Sequence, residues 1–191
     1  MKTLPTHSFI GLLKQFGPIS DDAAVAFTEQ IEIFTYPKKT IILKKGNICS
    51  YLCYIEKGLA HLYSDEGKKM FTNDIVKNGE ILTSFASFVS EQPSSENIEL
   101  LEDSVLQGIS FDNLQLLYKK YPELERIGRL VAEHHYNSLA SQTHRLRFYT
   151  SAERYNYFYK SKFELVQRVP LGIIASYLGM TLENLSRIRS K

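Results

Sequence analysis

The sequence predicts an α+β chain in which a β-rich sandwich or barrel precedes a long helix and a short all-helical C-terminal region. Three observations lead to this fold class. Glycines at turn-like positions recur every 9 to 12 residues between Gly46 and Gly79, among short β-rich runs. From Pro122 onward the apolar residues follow a helical period. Near the C-terminus, Ala175 and Gly179 stand four positions apart between two amphipathic segments, which is typical of two short helices joined by a tight turn.

Length and composition are those of an ordinary globular protein. The chain has 191 residues, 43% of them hydrophobic and 23% charged, and it is long enough to bury a sizeable core. No stretch approaches the roughly 18 to 20 apolar residues of a membrane span, and the N-terminus lacks the apolar block of a signal peptide. We therefore expect a cytoplasmic protein that does not associate with membranes.

The two cysteines, Cys49 and Cys53, are predicted to share one face of a strand as buried thiols. The alternative is a redox or metal site. Such a site would need a nearby His or a second Cys pair, and the sequence has neither. We expect no cofactor.

Charge is distributed unevenly, although the net charge is only +2. Residues 141–191 carry nine Lys or Arg and three acidic residues, a charge of +6, whereas residues 1–140 carry fourteen basic and eighteen acidic residues, a charge of −4. An acidic body with a basic C-terminal end favours a polyanionic partner for that end. A solvated charged face is the alternative.

The first part of the chain is predicted to form a short helix followed by strands. Ser20 is placed to cap a helix whose first turn is acidic, which suits the positive end of the helix dipole. Residues 32–80 are short β-rich runs separated by glycine-containing turns. Residues 97–110 predict two more strands around a turn at residues 102–103.

A long helix is predicted from Pro122, which suits a first helical turn, to residue 149. An apolar stripe runs along it at spacings of three and four, less strictly toward the end. The stripe residues are Leu124, Ile127, Val131, Leu139 and Leu146. Because this helix is longer than a small domain needs, we predict that it packs against a second copy of itself as a dimer spine. The alternative is a helix that lies on its own barrel.

A break is predicted at Thr150-Ser151, with Ser151 as the helix cap and Glu153 in the first turn of the next helix. The helix that follows is rich in aromatic residues. The predicted organisation is therefore a β-rich domain with N-terminal helices over residues 1–121, a dimerisation helix over residues 122–149, and a helical domain over residues 150–191.

The C-terminal residues match a helix-turn-helix motif with Gly179 as its pivot. The turn favours a residue that tolerates positive φ, and the small Ala175 lets two helices cross closely. Thr181 is placed to cap the second helix. The predicted core of the motif is Ile174, Ala175, Leu178, Gly179, Met180, Leu185 and Ile188. A plain helical hairpin is the alternative.

In such a motif the second helix lies in the major groove of DNA and reads bases with its N-terminal half. Glu183 can accept a hydrogen bond from a cytosine amino group, and Arg187, one helical turn later, can donate two to a guanine. The simpler alternative for these two residues is an intrahelical ion pair, which would also preorganise the arginine. The predicted base contacts are Leu182, Glu183, Ser186 and Arg187. The predicted phosphate contacts are Arg168, Thr181, Arg189 and Lys191.

The order of these parts resembles the Crp/Fnr family of bacterial transcription regulators. Three segments carry the resemblance: KKGNICSYLCYIEKGLAHLYSDEGKK, NIELLEDSVL and IASYLGMTLENLSRI. It covers nearly the whole chain and implies a cyclic-nucleotide-binding-like β-roll (a double-stranded β-helix), a long dimer helix and a DNA-binding helix-turn-helix. The family's recognition helix commonly offers an Arg, a Glu and a later Arg to the bases. Glu183 and Arg187 fall on the last two positions, and Leu182 replaces the first Arg, which implies a different target sequence, with Leu182 suited to a thymine methyl.

The resemblance also implies an effector pocket in the roll. In members that bind cAMP, a Gly-Glu pair is followed about ten residues later by an Arg that neutralises the cyclic phosphate. The corresponding residues here are Thr83, Ser84, Ser94 and Ser95, with Leu139 at the adenine position. A second register, with Gly79-Glu80 as the pair, places Ser90 at the Arg position, and residues 79–101 contain no basic residue. We therefore expect no cAMP binding by the usual mode, and either no effector or an uncharged or unrelated one.

Other features depart from the family pattern. The sequence ends at Lys191, so we expect the helix-turn-helix to lack the β-hairpin wing that usually follows it. The four cysteines of an iron–sulfur cluster, found in the Fnr branch, are absent. Histidines that could ligate a haem are His7, His61, His134, His135 and His144. The adjacent pair on the long helix is a candidate for pH sensing, with simple packing as the alternative.

The sequence thus predicts a homodimeric DNA-binding transcription regulator that is not an enzyme. Its operator would be a pseudo-palindrome with half-sites about one helical turn apart. Expected partners are double-stranded DNA, a second copy of the chain, RNA polymerase and an unknown small-molecule effector. One rival is a cyclic-nucleotide or other small-ligand module whose DNA binding is weak or lost. The other is an enzyme on a cupin-like barrel, which would need converging metal ligands, whereas His61 is the only histidine between residues 31 and 110.

Overall fold

The computed structural model describes residues 8–67 and 69–190, so His7 and Lys191 lie outside the described residues. The chain divides into two compact units. Of the described residues, the first contains residues 8–62 and 75–133, and the second contains residues 63–67, 69–74 and 134–190. No helix within the described ranges is long and apolar enough to cross a membrane. The predicted domain limits at residues 121 and 149 stay predictions.

Most strands belong to the first unit. The strands are β1 (Glu32–Tyr36), β2 (Ile41–Leu43), β3 (Tyr51–Lys57), β4 (Leu59–Glu66), β5 (Lys69–Lys77), β6 (Ile81–Leu82), β7 (Asn97–Leu100) and β8 (Ser104–Ser110). They form two four-stranded sheets, ordered β1-β8-β3-β6 and β2-β7-β4-β5. Strand β8 pairs antiparallel with both β1 and β3. The predicted β-rich sandwich or barrel is confirmed, as are the two strands around residues 102–103.

The turns between strands fall at the predicted glycines, and Gly46, Gly58, Gly67 and Gly79 all have positive φ. Gly58 has a second reason to be glycine. A Cβ at this position would lie 2.1 Å from the Ser104 Oγ, so no side chain fits. The regular glycine spacing in the sequence therefore reflects the strand connections of the roll.

Five helices accompany the sheets. They are α1 (Phe9–Leu13), α2 (Asp21–Glu29), α3 (Phe85–Ser90), α4 (Phe111–Lys120) and α5 (Pro122–Phe148). Ser20 caps α2 as predicted, because its Oγ accepts a hydrogen bond from the Ala23 amide at 3.3 Å. The same Oγ donates to Glu123 Oε1 at 2.6 Å, which ties α2 to the beginning of α5. Phe9 and Phe27 pack edge to face, with ring centroids 5.2 Å apart, and join α1 to α2.

Helix α5 begins at Pro122 and runs for 27 residues, so the predicted long helix is confirmed. The first half of its apolar stripe lies on the protomer's own core, and dimerisation stays a prediction. Leu124, Ile127 and Val131 are only 2%, 2% and 7% exposed, in the core of the first unit. These three side chains pack against their own protomer and are not available to a second copy. Leu139 and Leu146, at 42% and 41% exposure, are the stripe residues left for a dimer contact.

The second unit contains the rest of α5 and four further helices. These are α6 (Ser151–Ser161), α7 (Phe163–Arg168), α8 (Leu171–Tyr177) and α9 (Leu182–Arg189). The cap of α6 is Thr150, not Ser151 as predicted. The Thr150 Oγ1 accepts from the Glu153 amide at 3.3 Å, and the Glu153 carboxylate accepts from the Thr150 amide at 2.7 Å. Two adjacent hydroxyl residues compete for this role, and only Thr150 lies at the position from which this reciprocal capping box can form.

The outer ends of β4 and β5, residues 63–74, belong to the second unit and contact its helices. The Ser176 hydroxyl of α8 accepts a hydrogen bond from the Thr72 amide at 2.8 Å and donates one to the Met70 carbonyl at 3.1 Å. Gln142 of α5 donates to the Asn73 carbonyl at 3.1 Å. We call this contact the hairpin dock. Its hydrogen bonds join residues 69 to 106 positions apart, and nothing in the local sequence predicts them.

Candidate nucleic-acid interface and effector site

The turn between α8 and α9 has the geometry predicted for a helix-turn-helix. Gly179 has φ +62°, the Met180 amide donates to the Ala175 carbonyl, and the Gly179 amide donates to the Ser176 carbonyl, both at 3.0 Å. This is a Schellman motif, which requires a left-handed residue at the glycine position. Ala175 is 1% exposed, so the helices cross as closely as its small side chain allows.

The predicted core of the motif is largely buried. Ile174 and Leu185 are fully buried and Leu178 is 5% exposed, while Met180 and Ile188 are half-buried at the edge. Phe158 of α6 and Leu165 of α7 complete this small core. The core fixes the direction of α9 and leaves its opposite face exposed.

A residue that the sequence did not identify holds the turn in place. Arg154 of α6 donates from Nε to the Leu178 carbonyl at 2.7 Å and from a terminal nitrogen to the Gly179 carbonyl at 3.3 Å. Its other terminal nitrogen donates to the Tyr149 carbonyl at 2.7 Å. We call these three bonds the arginine clamp. The guanidinium satisfies carbonyls at the C-terminal end of α8 that the helix itself leaves unbonded.

Thr181 caps α9 as predicted, since its Oγ1 accepts from the Asn184 amide at 3.2 Å. The outward residues of α9 are exposed as expected: Leu182, Glu183, Ser186, Arg187 and Arg189. The pKa of Glu183 lies below its ordinary value, because its carboxylate accepts hydrogen bonds from its own amide and from the Thr181 hydroxyl. Glu183 is therefore a hydrogen-bond acceptor at neutral pH, as base reading would require.

Arg187 does not form the ion pair with Glu183 considered above. Its guanidinium donates instead to Asn184 Oδ1 at 2.9 Å, three residues earlier on the same helix. The Glu183 carboxylate is instead hydrogen-bonded to the Thr181 hydroxyl at the cap, and the half-buried Asn184 supplies a neutral acceptor for Arg187. Asn184 is thus a further residue of this face that sequence reasoning missed. A single bond leaves most of the five guanidinium donors available for a base.

The predicted phosphate contacts are only partly described. Arg189 is exposed near the end of α9, and Arg168 is half-buried at the end of α7. The Thr181 hydroxyl is engaged in the cap. Lys191 lies outside the described residues. The roles of all four stay predictions.

In the first unit, the structure brings together part of the predicted effector pocket. The Ser84 and Ser94 side-chain oxygens lie 3.0 Å apart and both residues are buried. Ser84 Oγ donates to Glu96 Oε1 at 2.8 Å, and Ser94 Oγ donates to the Glu96 carbonyl at 2.8 Å. Residues from the two predicted pocket positions, Thr83-Ser84 and Ser94-Ser95, are thus in contact through Ser84 and Ser94, and their role as an effector pocket stays a prediction. These hydroxyls bond within the protein, and the charged group beside them is a carboxylate.

The remaining pocket residues are placed separately. Thr83 is buried and donates to the Tyr51 carbonyl at 3.1 Å, with Cys49 Sγ 3.3 Å from its hydroxyl. Ser95 is exposed, and Leu139 falls in the second unit. Cys49 and Cys53 are buried free thiols, as predicted, but they do not share a strand, because Cys49 precedes the first residue of β3. Burial, then the neighbouring Cys49, raises the pKa of Cys53 to about 12, so this thiol is protonated and unreactive at neutral pH.

Metal ligands do not converge in the part of the chain that the structure describes, where no group of three or more His, Cys, Asp or Glu could hold an ion. His61 is 1% exposed, with Nε2 3.4 Å from the Glu99 carboxylate. Burial lowers the pKa of His61, and this outweighs the opposing effect of Glu99. His61 is therefore a neutral imidazole inside the roll at neutral pH.

Comparison with known proteins agrees with this architecture. Residues 33–121 match the family described as the cyclic nucleotide-binding domain. No curated protein sequence matches the chain. Among solved structures, the chain is similar to CLP of Xanthomonas campestris, described as a c-di-GMP responsive global regulator, with a TM-score of 0.70 and 18% identity over 90% of each chain.

Two further structures extend the comparison. FixK2 of Bradyrhizobium japonicum has a TM-score of 0.72 and 18% identity, covering 84% of this chain and 83% of its own. The catabolite activator protein of Thermus thermophilus has a TM-score of 0.60 and 16% identity, covering 94% of this chain and 85% of its own. The chain therefore consists of a cyclic-nucleotide-binding-type roll, a long helix and a helical C-terminal unit. This is the fold of the Crp/Fnr regulators, and the resemblance seen in the sequence is confirmed.

Proposed function

We propose that this chain is a sequence-specific DNA-binding transcription regulator of the Crp/Fnr type, and not an enzyme. The observation that carries the proposal is the exposed face of α9. It presents an ionised Glu183 and the multidentate Arg187 one helical turn apart, on a helix fixed by a Schellman turn. Helices presented in this way read base edges in the major groove. Such a role fits the cytoplasmic location and the RNA polymerase contact expected from the sequence.

Dimerisation is the second part of the proposal. In its second half, α5 carries exposed Tyr136, Leu139 and Leu146, with Tyr136 71% exposed. They recur at spacings of three and seven, which is the seam of a two-stranded coiled coil. A dimer through this seam would present two α9 helices to half-sites about one helical turn apart.

The decisive experiment is in vitro selection of bound DNA by the purified chain, with and without a metabolite extract. We expect the wild-type chain to select a pseudo-palindrome. Arg187→Ala should weaken binding to it by about 1 to 3 kcal/mol and relax the selection at one position per half-site. The matched control is Arg189→Ala, which should weaken all sequences alike and reduce the salt dependence. If Arg187→Ala selects the same sequence as wild type, the base-reading role is wrong.

The match to the cyclic nucleotide-binding domain favours a second candidate, a ligand-binding module with weak or lost DNA binding. Against binding by the usual cAMP mode stand the engaged Ser84 and Ser94 hydroxyls and the adjacent Glu96. A cyclic phosphate would meet a carboxylate there, with no arginine to neutralise it. Isothermal titration with cAMP, cGMP and c-di-GMP distinguishes the candidates. Micromolar binding of cAMP that Ser84→Ala weakens would establish the ligand module and overturn our expectation for the pocket.

A further inference from the structure

A cavity of about 450 Å³ lies in the first unit between α3, α4 and the first turns of α5. Its walls reach the core, since Phe27, Leu114 and Ile127 line it and are at most 4% exposed. Val89, which is 62% exposed, stands at its mouth. A volume of this size and an apolar lining are typical of sites for small molecules. The residues of the Ser84–Ser94 cluster do not line it, so it is a different site.

Four polar side chains interrupt the apolar lining, those of Gln115, Tyr118, Glu125 and Arg129, and the Tyr118 hydroxyl of α4 is the one set against the backbone of α5. Helix α5 makes room for it at Gly128, where a Cβ would lie 2.1 Å from the Tyr118 Oη. Burial, followed by the charge of Glu125, raises the pKa of Tyr118 to about 12, so the hydroxyl stays protonated as a donor. No group among the described residues is hydrogen-bonded to it. Tyr118 is half-buried and its hydroxyl oxygen keeps some contact with solvent, so an acceptor on a bound molecule would replace that contact with a hydrogen bond inside the cavity.

The rim of the cavity excludes a strongly charged ligand. Glu125 and Arg129 both line it, and Arg129 is already ion-paired with Glu133. A phosphate or carboxylate would meet Glu125 without an uncommitted cation to balance it. A cation would lose its hydration against the mostly apolar walls, which costs free energy.

We propose that this cavity binds an uncharged, largely apolar small molecule that presents one hydrogen-bond acceptor to the Tyr118 hydroxyl. The ligand would lie between α3, whose N-cap residue is Ser84, and the start of α5. The proposal that this cavity binds a ligand depends only on the volume and lining of the cavity. Only its use as an effector site rests on the proposed function.

Prodan is a suitable probe, because it is an uncharged naphthalene with a single ketone and its emission reports on hydrogen bonding to that ketone. We expect the full-length protein to bind Prodan saturably, with one site per chain. Tyr118→Phe removes only the hydroxyl. It should weaken binding roughly two- to tenfold, the value of one hydrogen bond, and should shift the emission of the bound dye to the blue.

A pair of tryptophan substitutions locates the site. Val89→Trp places an indole at the mouth and should weaken Prodan binding about tenfold, because it fills part of the volume that the dye needs. Leu116→Trp is the matched control, since Leu116 is 63% exposed on α4 and does not line the cavity. It should leave binding unchanged. Circular dichroism checks that each variant is folded.

Three results would overturn the proposal: no saturable Prodan binding, equal binding by the two tryptophan variants, or a Tyr118→Phe protein with unaltered affinity and emission. If Val89→Trp instead changes the sedimentation of the protein while Prodan binding is unaffected, the cavity is covered by a second copy and the proposal is also wrong. None of these measurements involves DNA, so failure here and failure of the proposed DNA binding are distinguishable.

Discussion

The two compact units are stabilised in different ways. The first has a continuous apolar core in which side chains such as Phe9, Phe27 and Leu106 are almost completely buried. The second has fewer buried apolar residues and adds hydrogen bonds from side chains to distant backbone groups, through the arginine clamp and the hairpin dock. We therefore expect that removing buried apolar side-chain volume lowers the stability of the first unit most. In the second unit, the loss of a single hydrogen-bonding side chain should lower the stability measurably.

The largest effect is expected from two truncations on the same helix. Ile127→Ala should lower the free energy of unfolding by about 2 to 5 kcal/mol, because it opens a cavity in the first unit. Leu139→Ala, in the exposed half of α5, should cost less than about 1 kcal/mol in the protomer. Urea denaturation at two protein concentrations measures both. The Ile127→Ala loss should not depend on concentration, whereas Leu139→Ala should abolish any concentration dependence that dimerisation confers. Equal losses would contradict the placement of the stripe.

The arginine clamp is the matching test in the second unit. Arg154→Ala should destabilise that unit by roughly 2 to 3 kcal/mol, because three backbone carbonyls lose a charged donor. Hydrogen exchange at the amides of α8 and α9 measures the loss locally. Lys160→Ala, an exposed basic residue on the same helix, is the control and should change exchange little. Faster exchange in the β-strands of the first unit would show that the two units do not respond separately.

His61 is a buried titratable side chain in the first unit, and it predicts a pH effect. Its pKa is lowered in the folded protein, so the unfolded chain binds a proton near pH 6.5 that the native state does not. Stability should therefore fall as the pH drops below about 6.5, by at most about 1.4 kcal/mol per pH unit for one proton. Thermal melts between pH 7.5 and 5.5 measure the slope. His61→Gln should flatten it, and an unchanged slope would assign it to other groups.

The smallest effect is expected at the hairpin dock. Ser176→Ala removes one hydroxyl that both accepts and donates, and should cost about 1 kcal/mol. Ser186→Ala, which removes an exposed hydroxyl from α9, is the control for stability and should be neutral. Hydrogen exchange at the Thr72 amide reports the loss directly. If that amide exchanges as slowly in Ser176→Ala as in wild type, the dock contributes nothing to the second unit.

Local rules in the sequence predicted most of the fold. The turn glycines, the Ser20 cap, the beginning of α5 at Pro122 and the Gly179 turn each depend on residues within a few positions of one another. The sequence also singled out Ser84 and Ser94, which the structure brings together, although their role in an effector pocket stays a prediction. Each of these features depends on local backbone preferences or on the spacing of nearby residues, and both can be seen directly in the sequence.

Partners distant in sequence were harder to predict. The period of the α5 stripe identified a helix but could not say whether Leu124 and Ile127 meet their own core or a second chain, because both surroundings favour the same apolar residues. Arg154 gave no signal, since an arginine on an amphipathic helix is usually solvated. The Arg187–Asn184 hydrogen bond was also not predicted, because the choice between Glu183 and Asn184 as the acceptor depends on small differences in side-chain geometry.

The hairpin dock has a consequence for synthesis of the chain on the ribosome. Thr72 emerges 104 residues before its partner Ser176. At a synthesis rate of roughly 5 to 20 residues per second, about 5 to 20 seconds pass between the synthesis of the outer strand ends and that of α8. During that interval Met70 and Phe71, still 43% and 48% exposed in the finished protein, face solvent at a strand end. The nascent roll is therefore most vulnerable to chaperone capture or misassociation at this strand end, and slower translation of the final helices should lengthen that exposure.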